Sequence, residues 1–112
     1  MTDPQALDRV FVALADAGRR AMVERLSRGP ATVKELATPV RMRLPSALKH
    51  LRVLEEGGLV VSRKAGRTRT FSLHPQAFGS LDAWLRDRRL ALDAAFDRLA
   101  EAINELPEED DA

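Results

Sequence analysis

The 112-residue chain has no cysteine and no tyrosine. Without cysteine it can build no disulfide framework, no thiolate metal site and no thiol nucleophile. Only His50 and His74 remain as nitrogen ligands, and a single imidazole with no second strong ligand nearby is poor metal chemistry, so neither a metal nor a cofactor is expected. Aromatic residues are scarce. The four phenylalanines and one tryptophan (Phe11, Phe71, Phe78, Phe96, Trp84) fall at core-like positions, leaving no stacking platform for RNA or single strands. No apolar run approaches the roughly 18 to 20 residues that a membrane-spanning helix needs. Met1-Thr2-Asp3-Pro4 does not have a secretory leader's basic segment followed by an apolar stretch. The chain therefore reads as cytoplasmic, with no membrane partner. A glycine-rich phosphate loop and a Ser-His-Asp order are missing as well, so catalysis is not expected.

What is present suits an ordinary folded protein: 45% hydrophobic and 31% charged residues. The length allows one small domain, expected over 1–106, with an acidic disordered tail at 107–112. The net charge of +1 hides a division along the chain. Residues 1–80 carry 14 Lys and Arg against 7 Asp and Glu, whereas residues 81–112 carry 4 against 10. Such segregation points to a basic working surface for a polyanion.

Periodicity divides the first part into short helices. Leu7, Val10, Phe11 and Leu14 follow Asp3-Pro4, an N-cap with proline in the first helical position. A second helix carries Met22, Val23 and Leu26 up to Gly29-Pro30. Thr32 and Glu35 have the spacing of a capping box and open a third helix of two turns, stopped by Pro39. A fourth runs from Pro45 to Gly57-Gly58, with Gly57 suited to the left-handed position after a helix. A short helix, a tight turn and a second helix form the helix-turn-helix outline. Residues 59–63 and 70–73 then read as a β-hairpin with a basic tip carrying Arg63, Lys64, Arg67 and Arg69, closed by hydrogen bonding at His74. From about Gln76 to Glu105, Leu81, Trp84, Leu85, Leu92, Phe96, Leu99 and Ile103 recur at helical intervals. A helix of roughly 45 Å is too long for so small a domain to cover and implies a second subunit.

On the fourth helix Leu44, Ala47, Leu51 and Leu54 share one side, with Leu48 at its edge, and this is the expected core face. Pro45, Lys49, Arg52 and Glu56 share the opposite side, flanked by Ser46 and His50. Lys49 and Ser46 stand where base edges would lie in a major groove, with Arg43 at the helix entrance. Arg43, Ser46, Lys49, His50 and Arg52 are the expected DNA contacts of this helix, and His50 is also expected to have a structural role.

These residues carry a family resemblance. Leu14-Ala15-Asp16, Arg19-Arg20, Gly29-Pro30, Thr32-Val33 with Glu35-Leu36-Ala37, Leu44-Pro45, the unbroken stretch from Lys49 to Val60, Arg63, Gly66-Arg67 and Leu73 with Pro75 resemble the ArsR/SmtB family of winged helix-turn-helix transcriptional repressors. The resemblance implies a mainly α fold with a small β-hairpin, and a recognition helix at Pro45 to Gly57 for a double-stranded operator. It also implies a wing at Arg63 to Arg69, a homodimer joined by the first and last helices, and a bacterial or archaeal setting on the nucleoid. The interface would use Leu7, Phe11 and Leu14 from the first helix and Trp84, Leu85, Leu92, Phe96, Leu99 and Ile103 from the last. A small-molecule effector, if one is used, would find room between the paired last helices.

Three departures stand out. Arg43 and Leu48 occupy places where family members often have serine; Leu48 either meets a thymine methyl or rolls into the core. Asp16-Ala17-Gly18 replaces a Pro-Thr pair and weakens the expected start of the second helix. The cysteine and Asp/His metal sites of the family have no counterpart. A winged helix used purely for protein contacts is the alternative reading.

Overall fold

Asp3 opens the first helix, α1 (Pro4–Leu14), by accepting a hydrogen bond from the Gln5 amide at 2.9 Å, with Pro4 in the first turn. The computed structural model describes residues 3–108, so Glu109 onward in the expected tail lies outside the described residues. In α2 (Ala17–Leu26) the expected weak start proves to be a capped one, because Asp16 accepts from the Arg19 amide at 2.9 Å. Both capping-box hydrogen bonds between Thr32 and Glu35 are present at the head of α3 (Val33–Ala37). This helix is shorter than its spacing predicts. Thr38–Val40 tightens into a 3-10 turn whose first turn accommodates Pro39, and Arg41 then takes a left-handed conformation with φ 54°.

The fourth helix, α4 (Leu44–Glu56), ends differently from expectation. Gly57 keeps a right-handed φ of −76°, and the left-handed position falls to Gly58 at φ 75°. Gly57 is needed for space instead. A Cβ there would lie 3.0 Å from Ala13 Cβ and 3.1 Å from the Arg9 carbonyl, because α1 passes against the end of α4.

Strands β2 (Val60–Ala65) and β3 (Thr68–Leu73) form the expected hairpin, longer at its tip by two residues on each side. A third strand, β1 (Ala31–Thr32), is not visible in the sequence pattern; it pairs antiparallel with β3, giving the order β1-β3-β2 with Ala31 opposite Phe71. His74 closes the hairpin, its amide donating to the Leu59 carbonyl at 2.9 Å while its ring Nδ1 accepts from the Gln76 amide at 3.0 Å.

Met22, Leu51, Leu54, Leu59 and Phe71 are the largest fully buried side chains, drawn from α2, α4 and the hairpin. Full burial of each is worth roughly 1.5 to 3 kcal/mol, enough to fix how α4 sits on the rest. Along the chain two units follow one another, Met1–Leu81 and Asp82–Ala112. The last helix, α5 (Gly79–Asn104), is 26 residues or about 39 Å long, and none of its residues is buried. No described helix is long and apolar enough to cross a membrane.

Candidate nucleic-acid interface

Two segments of the first unit present cations to solvent. Arg41, Arg43, Lys49 and Arg52 are exposed on α4 and the turn before it, as are Arg63, Lys64, Arg67 and Arg69 on the hairpin. Among the described residues none of these eight has an acidic partner; the ion pairs present are Arg9–Asp3, Arg25–Glu35 and His50–Asp16. Lys64 stands directly opposite Arg69 in the hairpin register. Like charges facing across a strand pair are destabilising, so the hairpin tip is set up at a cost that a polyanion would relieve. Arg69 also donates to the Ser62 hydroxyl at 2.8 Å, which orients its side chain along the ribbon.

Leu44, expected in the core, and Leu48, whose placement was open, both lie outside it. Leu44 is 45% and Leu48 50% exposed, against 0–1% for Ala47, Leu51 and Leu54. Leu44 opens α4 ahead of the first buried turn. Once it leaves the apolar arc, the centre of that arc moves to about 90° from Leu48 at 100° per residue. The expectation that Leu44 belongs to the core, and the option that Leu48 does, are corrected.

Ser46 is exposed beside Lys49, whereas His50 turns toward α2. Its Nδ1 accepts from Arg19 Nη1 at 3.1 Å, since a guanidinium can only donate, which places the ring proton on Nε2. The same guanidinium donates from Nε to the Ala13 carbonyl at 2.7 Å and from Nη2 to the Val12 carbonyl at 3.0 Å, and Arg20 donates to the Leu14 carbonyl at 2.7 Å. The Arg19-Arg20 pair thus satisfies the orphan carbonyls at the end of α1, and Arg19 ties that end to α4. A Cβ on Gly18 would meet Asp16 Oδ2 and Met42 Cε, each at 3.1 Å, so only glycine fits without a shift. Arg19 is the positioning residue that sequence reasoning misses. Its Arg-Arg motif is visible, but a partner 31 positions away is not. A depression of about 270 Å³ lined by Arg19, Ser46, Lys49, His50 and Val53 lies beside this junction.

The hydrogen bond from the Arg19 amide, then the charge of the Arg19 guanidinium, hold the Asp16 carboxyl below its usual range. The Thr32 amide and hydroxyl, then Arg25, do the same for Glu35. Depressed folded-state values mean stability that is present above the ordinary carboxylate range and is lost as pH falls through the folded values. The melting temperature should therefore fall in acid, and the deficit of Asp16→Asn relative to the unmodified chain should shrink over the same range. A deficit that stays constant down through the acid transition would show that Asp16 is not depressed.

Along α5, Leu85, Leu92, Phe96, Leu99 and Ile103 lie within an arc of about 60° and, with the exception of half-buried Leu85, are exposed. From Leu92 to Leu106 the apolar positions alternate steps of four and three, the narrow seam of a coiled coil rather than the broad stripe of a helix laid on a core. Trp84 lies to one side of that arc, 41% exposed, with the Arg88 guanidinium 5.9 Å from its ring centre. On α1, Val10 and Ala13 face the core, Phe11 is exposed, and Leu7 and Leu14 are half-buried.

Comparison with known proteins gives a consistent result. A helix-turn-helix domain family matches residues 14–63. The HTH-type transcriptional regulator Rv2034 of Mycobacterium tuberculosis is 42% identical over 81 residues, which cover 72% of this chain and 76% of that protein. The crystal structure of an ArsR family transcriptional regulator, RHA00566, superposes with a TM-score of 0.76 at 45% identity, covering 83% of this chain and 97% of the other. The solution structure of a homodimeric winged helix-turn-helix DNA-binding domain from Mycobacterium bovis, a possible ArsR-family regulator, aligns with a TM-score of 0.64 at 26% identity over 84% of each chain.

Proposed function

Since the chain belongs to the ArsR/SmtB family of winged helix-turn-helix transcriptional regulators, whose members regulate transcription rather than catalyse, we propose that it is a homodimeric repressor that binds an inverted repeat in a promoter. The observation that carries this reading is the set of eight exposed cations, without acidic partners among the described residues, on α4, its preceding turn and the hairpin. In a groove they meet phosphates, while Ser46 and Lys49 approach base edges from the amino-terminal half of the recognition helix. Arg43 enters with them, and Arg52 tracks the backbone. Arg63, Lys64, Arg67 and Arg69 hold the flanking phosphates or the adjacent minor groove. Exposed Phe11 of α1, with half-buried Leu7 and Leu14 beside it, and the α5 seam each meet a second copy, in keeping with the homodimer reported for the M. bovis domain.

The division of labour is testable. Footprinting on the DNA upstream of the protein's own gene supplies the operator, and fluorescence anisotropy compares operator with scrambled duplex over a salt series. Lys49→Ala should weaken operator binding more than scrambled binding. Arg67→Ala should weaken both alike and flatten the salt dependence by about one unit of log–log slope for each phosphate that is no longer neutralised, counted twice in a symmetric dimer. If Lys49→Ala leaves the operator-to-scrambled ratio unchanged and Arg67→Ala collapses it, the roles are reversed. Absence of binding to any duplex would favour a protein-interaction module.

A further inference from the structure

One exposed leucine is ordinary, but Leu44 and Leu48 are two, a helical turn apart on the recognition helix, with exposed Val40 shortly before them. Arg52 continues the same row one turn later, and Arg41, Arg43 and Lys49 border it. Resting on the DNA-binding reading above, we infer that Leu44 and Leu48 are specificity determinants that recognise thymine by its C5-methyl group.

Three observations lead to that occupant. The first is the cationic border. An apolar protein partner seated on these leucines would strip water from arginines and a lysine that have no acidic partner among the described residues, whereas a phosphate backbone neutralises them. The second is chemical: among the base edges in the major groove, the thymine methyl is the one apolar group offered to a side chain. The third is spacing. Leu44 and Leu48 are separated by about 6 Å along the helix, close to two base-pair steps of about 3.4 Å, so a helix lying along the groove can place both side chains on methyl groups in one half-site. The half-site should accordingly hold two A·T pairs about two steps apart, next to a pair read through hydrogen bonds by Lys49, about 100° round the helix from Leu48.

The test begins with selection of duplexes from a random library by the full chain. Each thymine of the selected site is then replaced by deoxyuridine, which removes the methyl and keeps the Watson–Crick pairing. Removal of one contacted methyl should weaken binding about fourfold, and removal from both half-sites about fifteenfold. The penalty at one position should vanish in Leu48→Ala and at the other in Leu44→Ala, which makes each a double-mutant cycle across the interface. Both side chains are exposed, so the variants should keep the melting temperature and sedimentation of the unmodified chain. Tolerance of deoxyuridine at every position, or penalties that persist unchanged in both variants, would overturn the inference. So would a change of oligomeric mass in either variant, which would assign the leucines to a second copy of the chain. Selection that enriches no sequence would defeat the DNA-binding reading itself, a result distinct from an enriched site that ignores the methyl groups.

Discussion

Phe96→Asp is expected to yield a monomer at micromolar concentrations where the unmodified chain is expected to sediment as a dimer, and to weaken operator binding by at least about a hundredfold as the two half-sites cease to be held together. Phe96 is 59% exposed in the single chain and lies centrally in the row Leu85, Leu92, Leu99 and Ile103. Where such a row closes against its copy, a carboxylate at this point loses its water and gains no partner, and an unpaired buried charge costs several kcal/mol. The effect appears on both strands of the seam. Sedimentation velocity gives the mass and anisotropy the affinity. The melting temperature of the unmodified chain should rise with concentration, and that of the variant should not. A variant that still sediments as a dimer with an unchanged melting curve would remove α5 from the interface.

The second large effect concerns the root of the hairpin. Phe71→Ala should lose about 3 to 5 kcal/mol of folding stability, read as a shift of the denaturant midpoint, out of the roughly 5 to 15 kcal/mol that a domain possesses. Phe71 is 2% exposed and lies on the central strand, facing Ala31 on one side and Ser62 on the other in the strand register. Truncation leaves a cavity where three strands and the helical core meet, and the collapse available to close it is small because the facing residue Ala31 is itself small and buried. DNA affinity should fall with stability, since the wing is anchored at this residue. A midpoint shift corresponding to less than about 1 kcal/mol would show that the hairpin is held elsewhere.

Local signals are the legible ones. The Asp3-Pro4 start, the Thr32–Glu35 capping box, the basic hairpin and the long last helix all follow from residues within a few positions of one another. What escapes the sequence depends on distant partners. The strand β1 is two residues long, and only pairing with Thr70 and Phe71, some 40 positions on, makes Ala31–Thr32 a strand at all. The left-handed residue after α4 falls one position later than the local pattern predicts because Gly57 answers to crowding by Arg9 and Ala13, which no local pattern reports. The choice between core and groove for Leu48 turns on whether Leu44 is buried, and Leu44 follows directly on a left-handed turn at Arg41 that carries no signature in the sequence. His50, placed with the DNA-facing residues, also has a structural reading. Arg19 engages its ring from another helix, a partner that no local pattern reports.

The junction of Arg19 with α1 and His50 has a mechanical consequence. Arg19 joins the last turn of α1 to the middle of α4, and the close contact at Gly57 joins α1 to the end of α4, so these two helices are fastened at separate points along the recognition helix. Two attachments resist rotation as well as translation, which makes the pair a stiff lever rather than a hinged one. A change in the seat of α1 is therefore expected to carry α4 with it as a change of tilt, through the Arg19 guanidinium and the His50 ring and through the packing at Gly57.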